Sequence, residues 1–145
     1  MNLPTATTFF VDISLGRNQV AEALRDVGAC VEIHADHFAL DEKDAVWLSE
    51  VAQRGWIILT KDQKIAYRIL EQVAIAQSNA RVFALSSGDI SGNQMGEAFR
   101  KAVKKMESLA KGCPSPFIAK VYKSGRVEVW KDKSYLLKVL KSLTP

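Results

Sequence analysis

Cysteine, histidine and proline are all scarce in this chain: 2 cysteines, 2 histidines and 4 prolines among 145 residues. Cys30 and Cys113 lie far apart with no CxxC pair, which argues against a disulfide framework and a zinc ribbon. The two histidines share the segment "HADH" at 34–37, and a zinc site would need ligands that no other histidine can supply, so the segment reads as a polar loop, whose position after a strand could put His34 or His37 near substrate. There is no GxxxxGK[ST] phosphate loop and no GxSxG elbow, which removes P-loop nucleotide chemistry and serine-hydrolase chemistry. Apolar runs long enough to span a membrane are missing, as is a basic start followed by a long apolar stretch. The expectation is a cytoplasmic protein with no membrane partner.

What is present suffices for a core. About half of the residues are hydrophobic (48%), enough for one globular domain of this length. The net charge of +4 is unevenly placed. From Phe117 to Pro145 there are 7 basic residues against 2 acidic ones, whereas the rest of the chain carries 13 basic and 14 acidic residues. A basic C-terminal segment suits a phosphate-bearing partner, although a solvated lysine face is the more frequent explanation.

Strand-like and helix-like patterns alternate. Residues 8–11 read as a buried strand, 18–27 as a helix with Val20, Leu24 and Val27 on one face, and 30–34 as a second strand. The spacing then predicts a helix over 41–54, the strand "WIIL" at 56–59, a helix over 63–76, a strand over 81–85 and a long helix over 94–110. Such alternation predicts an α/β three-layer sandwich with a mainly parallel central sheet. "FIAKVYKSGRVEVW" departs from it as a hairpin about Ser124-Gly125, followed by a short basic helix over 135–143. "GCPSP" at 112–116 marks the junction, which divides the chain into an α/β core (1–111) and an appended hairpin and helix (112–145).

Two predicted strands end in carboxylates. Asp12 closes "TFFVD" and Asp62 closes "WIILTKD", while Asp44 lies early in the helix that leads to the second of these strands. In an open parallel sheet ligands bind at the carboxyl ends of the strands, so acids there face the functional edge. Converging carboxylates repel unless a hard divalent cation joins them, and this points to metal-dependent phosphoryl transfer. Each acid also has a structural reading. Asp41 and Asp44 have capping-box spacing, Asp62 could cap the helix that follows it, and Asp12 could stabilise a turn.

"FFVD", "DAVWL" and "GWIILTKD" resemble the acidic positions of PIN-like domains, in particular the VapC-toxin-like group, over roughly residues 7–85. The resemblance implies that Asp12, Asp44 and Asp62 bind Mg2+ or Mn2+ and cleave RNA by a metal-activated water. It also implies a neighbouring antitoxin protein as partner and a homodimer. A further helical Glu of that family has no clean counterpart here; Glu32, Asp36, Asp41 and Glu42 are candidate substitutes, with Asp41 the candidate additional acid.

Around these acids, Arg17, Lys61, Lys64 and Arg68 are candidate phosphate contacts, and Lys120, Lys123, Arg126, Lys131 and Lys133 could form a phosphate-tracking face. Trp47 and Trp56 read as core anchors; Trp130, at the end of the hairpin, is the better stacking candidate of the three, with packing its preferred reading. Two rivals stand beside the ribonuclease reading: a catalytically inactive PIN-like module that binds nucleic acid or protein, and a receiver-like signalling domain. The latter wants an acidic pair after the first strand, where "VDIS" has one acid.

Overall fold

The computed structural model describes residues 7–16, 18–86 and 88–143. Its centre is one six-stranded sheet built from β1 (Thr8–Val11), β2 (Cys30–Ile33), β3 (Ile57–Thr60), β4 (Arg81–Ser86), β5 (Phe117–Tyr122) and β6 (Val127–Lys131). The strand order is β2-β1-β3-β4-β5-β6; the first five are parallel and β6 returns antiparallel to β5. The hairpin therefore extends the central sheet.

Strand alternation divides the core into two. Phe9, Val11, Ile57, Leu59, Phe83, Leu85, Phe117, Ala119 and Val121 face α1 (Gln19–Asp26) and α4 (Gly92–Gly112). Phe10, Ile58, Val82 and Ile118 face α2 (Asp44–Gln53), α3 (Ile69–Ser78) and α5 (Lys133–Leu143). With both faces covered, the inner parallel strands bury residues on both sides instead of alternating between buried and exposed, as the burial of all of Ile57–Thr60 shows. This is the expected three-layer sandwich. Gly96 lets α1 and α4 approach closely, since a Cβ there would meet Ala23 Cβ and the Gln19 carbonyl oxygen, each at 3.1 Å.

Several expected boundaries move. Instead of one helix over 63–76 there is a 3-10 turn at Gln63–Ala66, a break at Tyr67 and Arg68, and then α3. Asp62 caps that short turn and Arg68 takes an extended conformation (φ −78°, ψ 122°), so the chain can bury Ile65 and Ala66 and still change direction. The second helix begins at Asp44, not at residue 41. Asp41 lies in the preceding turn, and the residue before the helix, Lys43, makes no side-chain cap bond, so the Asp41–Asp44 capping box does not form. Val27, placed above on an apolar helix face, is exposed, as are Val46 and Leu40, whose apolar spacing also predicts a buried face for the second helix; Ala21 and Leu48 take the buried places.

Phe10 is fully buried and its ring meets those of His34, Phe38, Trp47 and Trp56 at centroid distances of 5.5–6.2 Å. Truncation to alanine removes the common member of this cluster. Phe10→Ala should lower unfolding free energy by about 3–5 kcal/mol in urea titrations; a loss below about 1 kcal/mol would show that the cluster closes over the gap.

Candidate active site

A strand order of 2-1-3-4-5 reverses direction between β1 and β3, and the crevice outside their carboxyl ends is where such sheets bind ligands. Asp12 follows β1 and Asp62 follows β3 by two residues, so both acids stand at this reversal. Register and alternation define the row of side chains there. Thr60 pairs with Ala84 and Ala84 with Lys120, while Asp12 and His34 each lie one residue beyond the pair Val11 and Ile33. His34, Asp12, Thr60, Ala84 and Lys120 thus form one row across five strands. It lies directly above the buried residues Phe10, Ile58, Val82 and Ile118, on the face covered by α2, α3 and α5.

Asp12 is held from one side. Ser14 Oγ and Thr60 Oγ1 each donate to Oδ2 at 2.8 Å, and the Asp12 amide donates to the Leu59 carbonyl at 3.0 Å. The two hydroxyls in turn accept backbone N–H groups, Ser14 from Lys61 at 2.9 Å and Thr60 from Asp62 at 3.0 Å. Since each hydroxyl has one proton and spends it on Asp12, their mutual distance of 3.2 Å is proximity, not a third bond. Oδ1 accepts no hydrogen bond among the described residues, which leaves one oxygen of a fixed carboxylate open.

Asp62 is occupied differently. Oδ1 accepts the Lys64 N–H at 3.0 Å as the cap of the short turn, and Oδ2 accepts from Arg68 Nη1 at 3.0 Å; the same Nη1 lies 3.4 Å from Glu71 Oε1. The capping reading of Asp62 is therefore realised. Arg68 pairs with two carboxylates and stands where a cation is wanted between them.

Asp44 opens α2, and its Oδ1 accepts the indole N–H of Trp47 at 3.0 Å. The "DxxW" spacing thus has a physical basis: three residues on in a helix, the buried Trp47 turns its one donor back onto the acid. Asp44 shares a concavity with Glu42, Leu70 and Glu71. Through Glu71 and Arg68 it is linked to Asp62, and both it and Asp12 pull the His34 pKa upward.

His34 is 1% exposed, not part of a polar loop, and packs against Phe10, Phe38 and Trp47. Its Nδ1 is buried without a hydrogen-bond partner among the described residues. Burial pushes its pKa below the ordinary 6.5, against the opposing pull of Asp12, Asp44 and Glu42. His37 instead bonds Glu32 at 3.0 Å. Among the described residues, no group of three or more His, Cys, Asp or Glu side chains is arranged to hold a metal ion. Asp12, Asp44 and Asp62 line one edge without forming a closed three-carboxylate cage.

The other expected residues distribute as follows. Lys61 and Lys64 flank Asp62, and Lys120 belongs to the site row. Lys123 and Arg126 flank the hairpin turn at the same sheet edge, with the Arg126 guanidinium over the Tyr122 ring at 4.1 Å. Lys131 does not join them, because β6 runs back to pair Lys131 with Ile118, and its ammonium lies over Tyr135 at 4.4 Å. Arg17 lies outside the described residues. Ser14 and Glu71 escaped the sequence reading. Ser14 had a signal, a hydroxyl two residues after the strand-end acid; Glu71 acquires its place only through Arg68.

A model of the family described as "PIN like domain" matches residues 7–87. The chain belongs to the PIN-like domain family. A protein of Mycobacterium tuberculosis named "Putative ribonuclease VapC45" is 31% identical over 124 residues, covering 83% of this chain and 89% of that protein. No solved structure matches. The family match covers the first four strands of the PIN-like fold, so the reversal between β1 and β3 and all three candidate acids lie within it.

Burial of a neutral His34 carries a pH signature. Above pH 6.5 the imidazole is uncharged in both folded and unfolded chains; as pH falls below that value the unfolded chain takes up the proton first, so stability declines toward the depressed folded pKa. The urea midpoint should fall between about pH 7 and about pH 5, and His34→Phe should flatten that decline whereas His37→Gln keeps it. An equal slope in His34→Phe would assign the effect to other groups.

Proposed function

We propose that this PIN-like chain is an endoribonuclease that hydrolyses RNA phosphodiesters, with Asp12, Asp44 and Asp62 as the acids that serve the reaction. The observation that carries the reading is Asp12 itself: a carboxylate at the sheet's reversal, fixed through Oδ2 and open at Oδ1. The similarity to a protein named as a ribonuclease supports it.

Mg2+ or Mn2+ is the cofactor that fits this donor set. Hard divalent ions, Mg2+ above all, are commonly held by one or two carboxylates, waters and substrate phosphate, with no full protein cage, and Arg68 between Asp62 and Glu71 marks where positive charge is already required. When bound, the ion supplies an activated water and neutralises phosphate charge. Asp12 Oδ1 and Asp62 would hold it, with Asp44 completing the acidic edge. Ser14 and Thr60 keep Asp12 oriented. Glu42 and Glu71 are better placed beside Asp44 than Asp41 to act as the additional acid.

In this reading residues 1–111 carry the acids and 112–145 add cations to the same edge. Lys61, Lys64, Lys120, Lys123 and Arg126 contact RNA phosphates, and Arg17, which follows Asp12 closely in sequence, is a further candidate contact. Asp12 lies before α1 and no described helix is long and apolar enough to cross a membrane. We place the protein in the cytoplasm as the toxin of a toxin–antitoxin pair, with a cognate antitoxin protein and a homodimeric state. The pairing of Asp62 with Arg68 favours a second reading, an inactive PIN-like module that binds RNA without cleaving it.

Cleavage of single-stranded RNA with and without Mn2+ separates the two. Asp12→Asn should lower the rate at least about a hundredfold, equivalent to several kcal/mol of barrier, with circular dichroism unchanged. Thr60→Val, which leaves the acid in place and removes its donor, should lower Mn2+ affinity or rate by about 10–100-fold. Undiminished cleavage by Asp12→Asn eliminates the assigned role, and RNA binding without cleavage by the unmodified chain selects the inactive module.

A further inference from the structure

Beside the acids, on the same face, Lys120 adjoins a pair of aromatic rings that the hydrolytic role leaves unused. Tyr67 sits at the break before α3, next to Arg68, and is 67% exposed. Its ring stands perpendicular to that of Trp130 (84°) with centroids 5.4 Å apart. Trp130, on β6, is partly buried against the Phe10 side of the core, and the Lys120 ammonium lies 4.1 Å from its ring centroid. Lys120 makes no ion pair among the described residues; Glu128, its cross-strand partner, accepts the Tyr122 hydroxyl.

From these observations we infer that Tyr67, Trp130 and Lys120 form a nucleotide subsite, in which an unpaired RNA base stacks on Tyr67 and the adjoining phosphate meets Lys120. The subsite rests on the ribonuclease reading and specifies how its substrate is held. Trp130 is the positioning residue: its edge-to-face contact fixes the Tyr67 ring, and its other surface holds the lysine. An exposed ring costs free energy in water unless it is covered, and a nucleobase covers it with a π face at any sequence. Lys120 shares the Asp12–Thr60 row two strands from Thr60, which is about 10 Å along the edge. A single strand that runs along this edge from the open Asp12 oxygen toward β5 passes over this patch. A single-stranded substrate is required, because a base within a duplex offers no free face.

The test is binding of a short single-stranded RNA in EDTA, followed by anisotropy over a salt series, with Mn2+ affinity and cleavage measured in parallel. Tyr67→Ala should weaken binding about ten- to a hundredfold, the range expected for one stacked base, while Tyr67→Trp retains affinity. An RNA with one abasic nucleotide at the stacking position should lose the same factor and lose no more with Tyr67→Ala. Lys120→Gln should reduce the log–log salt slope by about 0.7 and leave Mn2+ affinity unchanged. Since Trp130→Ala removes a core contact, Tyr67 and Lys120 carry the decision. If the unmodified chain binds and cleaves RNA but Tyr67→Ala does so equally well, the subsite is wrong and the nuclease stands. If the unmodified chain neither binds nor cleaves RNA, both fall. Loss of association with a co-expressed neighbouring protein, with RNA affinity intact, would instead make the patch a protein-docking surface and overturn the subsite.

Discussion

Supplying donors to the carboxylates near the carboxyl edge of the sheet is the constraint around which this structure is arranged. Each of the three acids meets it with a different donor. Asp12 receives two hydroxyls, Asp62 a backbone amide and a guanidinium, and Asp44 an indole N–H. None of these donors is incidental to the fold. Thr60 is the last residue of β3, Lys64 belongs to the turn that buries Ile65, and Trp47 belongs to the core. Stabilising the acids and folding the chain thus draw on the same residues, so the site cannot be dismantled without cost to the core beneath it.

The core beneath the edge is aromatic where most of the sheet is aliphatic. Phe10 touches His34 and Trp47, and Trp47 bonds Asp44, so a buried ring cluster joins three of the site's residues. An apolar support of this kind desolvates His34 and pushes its pKa down against the pull of the neighbouring acids. Trp56 closes the cluster on the far side, with the Arg54 guanidinium 4.9 Å from its ring.

Much of this was legible in order along the chain. Alternating apolar strands and amphipathic helices predicted a mainly parallel sheet, and strand-end acids predicted a functional edge. The hairpin about Ser124-Gly125 also formed: Gly125 takes φ +89°, and the Tyr122 and Arg126 backbones bond across it at 2.8 Å. Helix starts were less legible. Asp41 has the side chain and spacing of a cap, but Asp44 turns toward Trp47, and a carboxylate committed to an indole does not complete a reciprocal capping box. The break at Tyr67 and Arg68 was hidden because residues 63–76 carry helical spacing throughout; only the pull of Arg68 toward Asp62 and the burial of Ile65 interrupt it.

By itself the sequence determined what depends on nearest neighbours and period: which segments are strands, that they end in acids, that Asp44 stands three residues before a tryptophan, and that positive charge collects near the C-terminus. The tertiary structure decided which of those residues share a row. Strand order brought Asp12 beside Thr60 and His34, and the parallel pairing of β5 brought Lys120 to the same edge. The physical reason is that pairing across a sheet is set by burial on both faces and by the handed crossovers between strands, interactions between segments tens of residues apart. Local pattern carries no record of which strand will lie next to which.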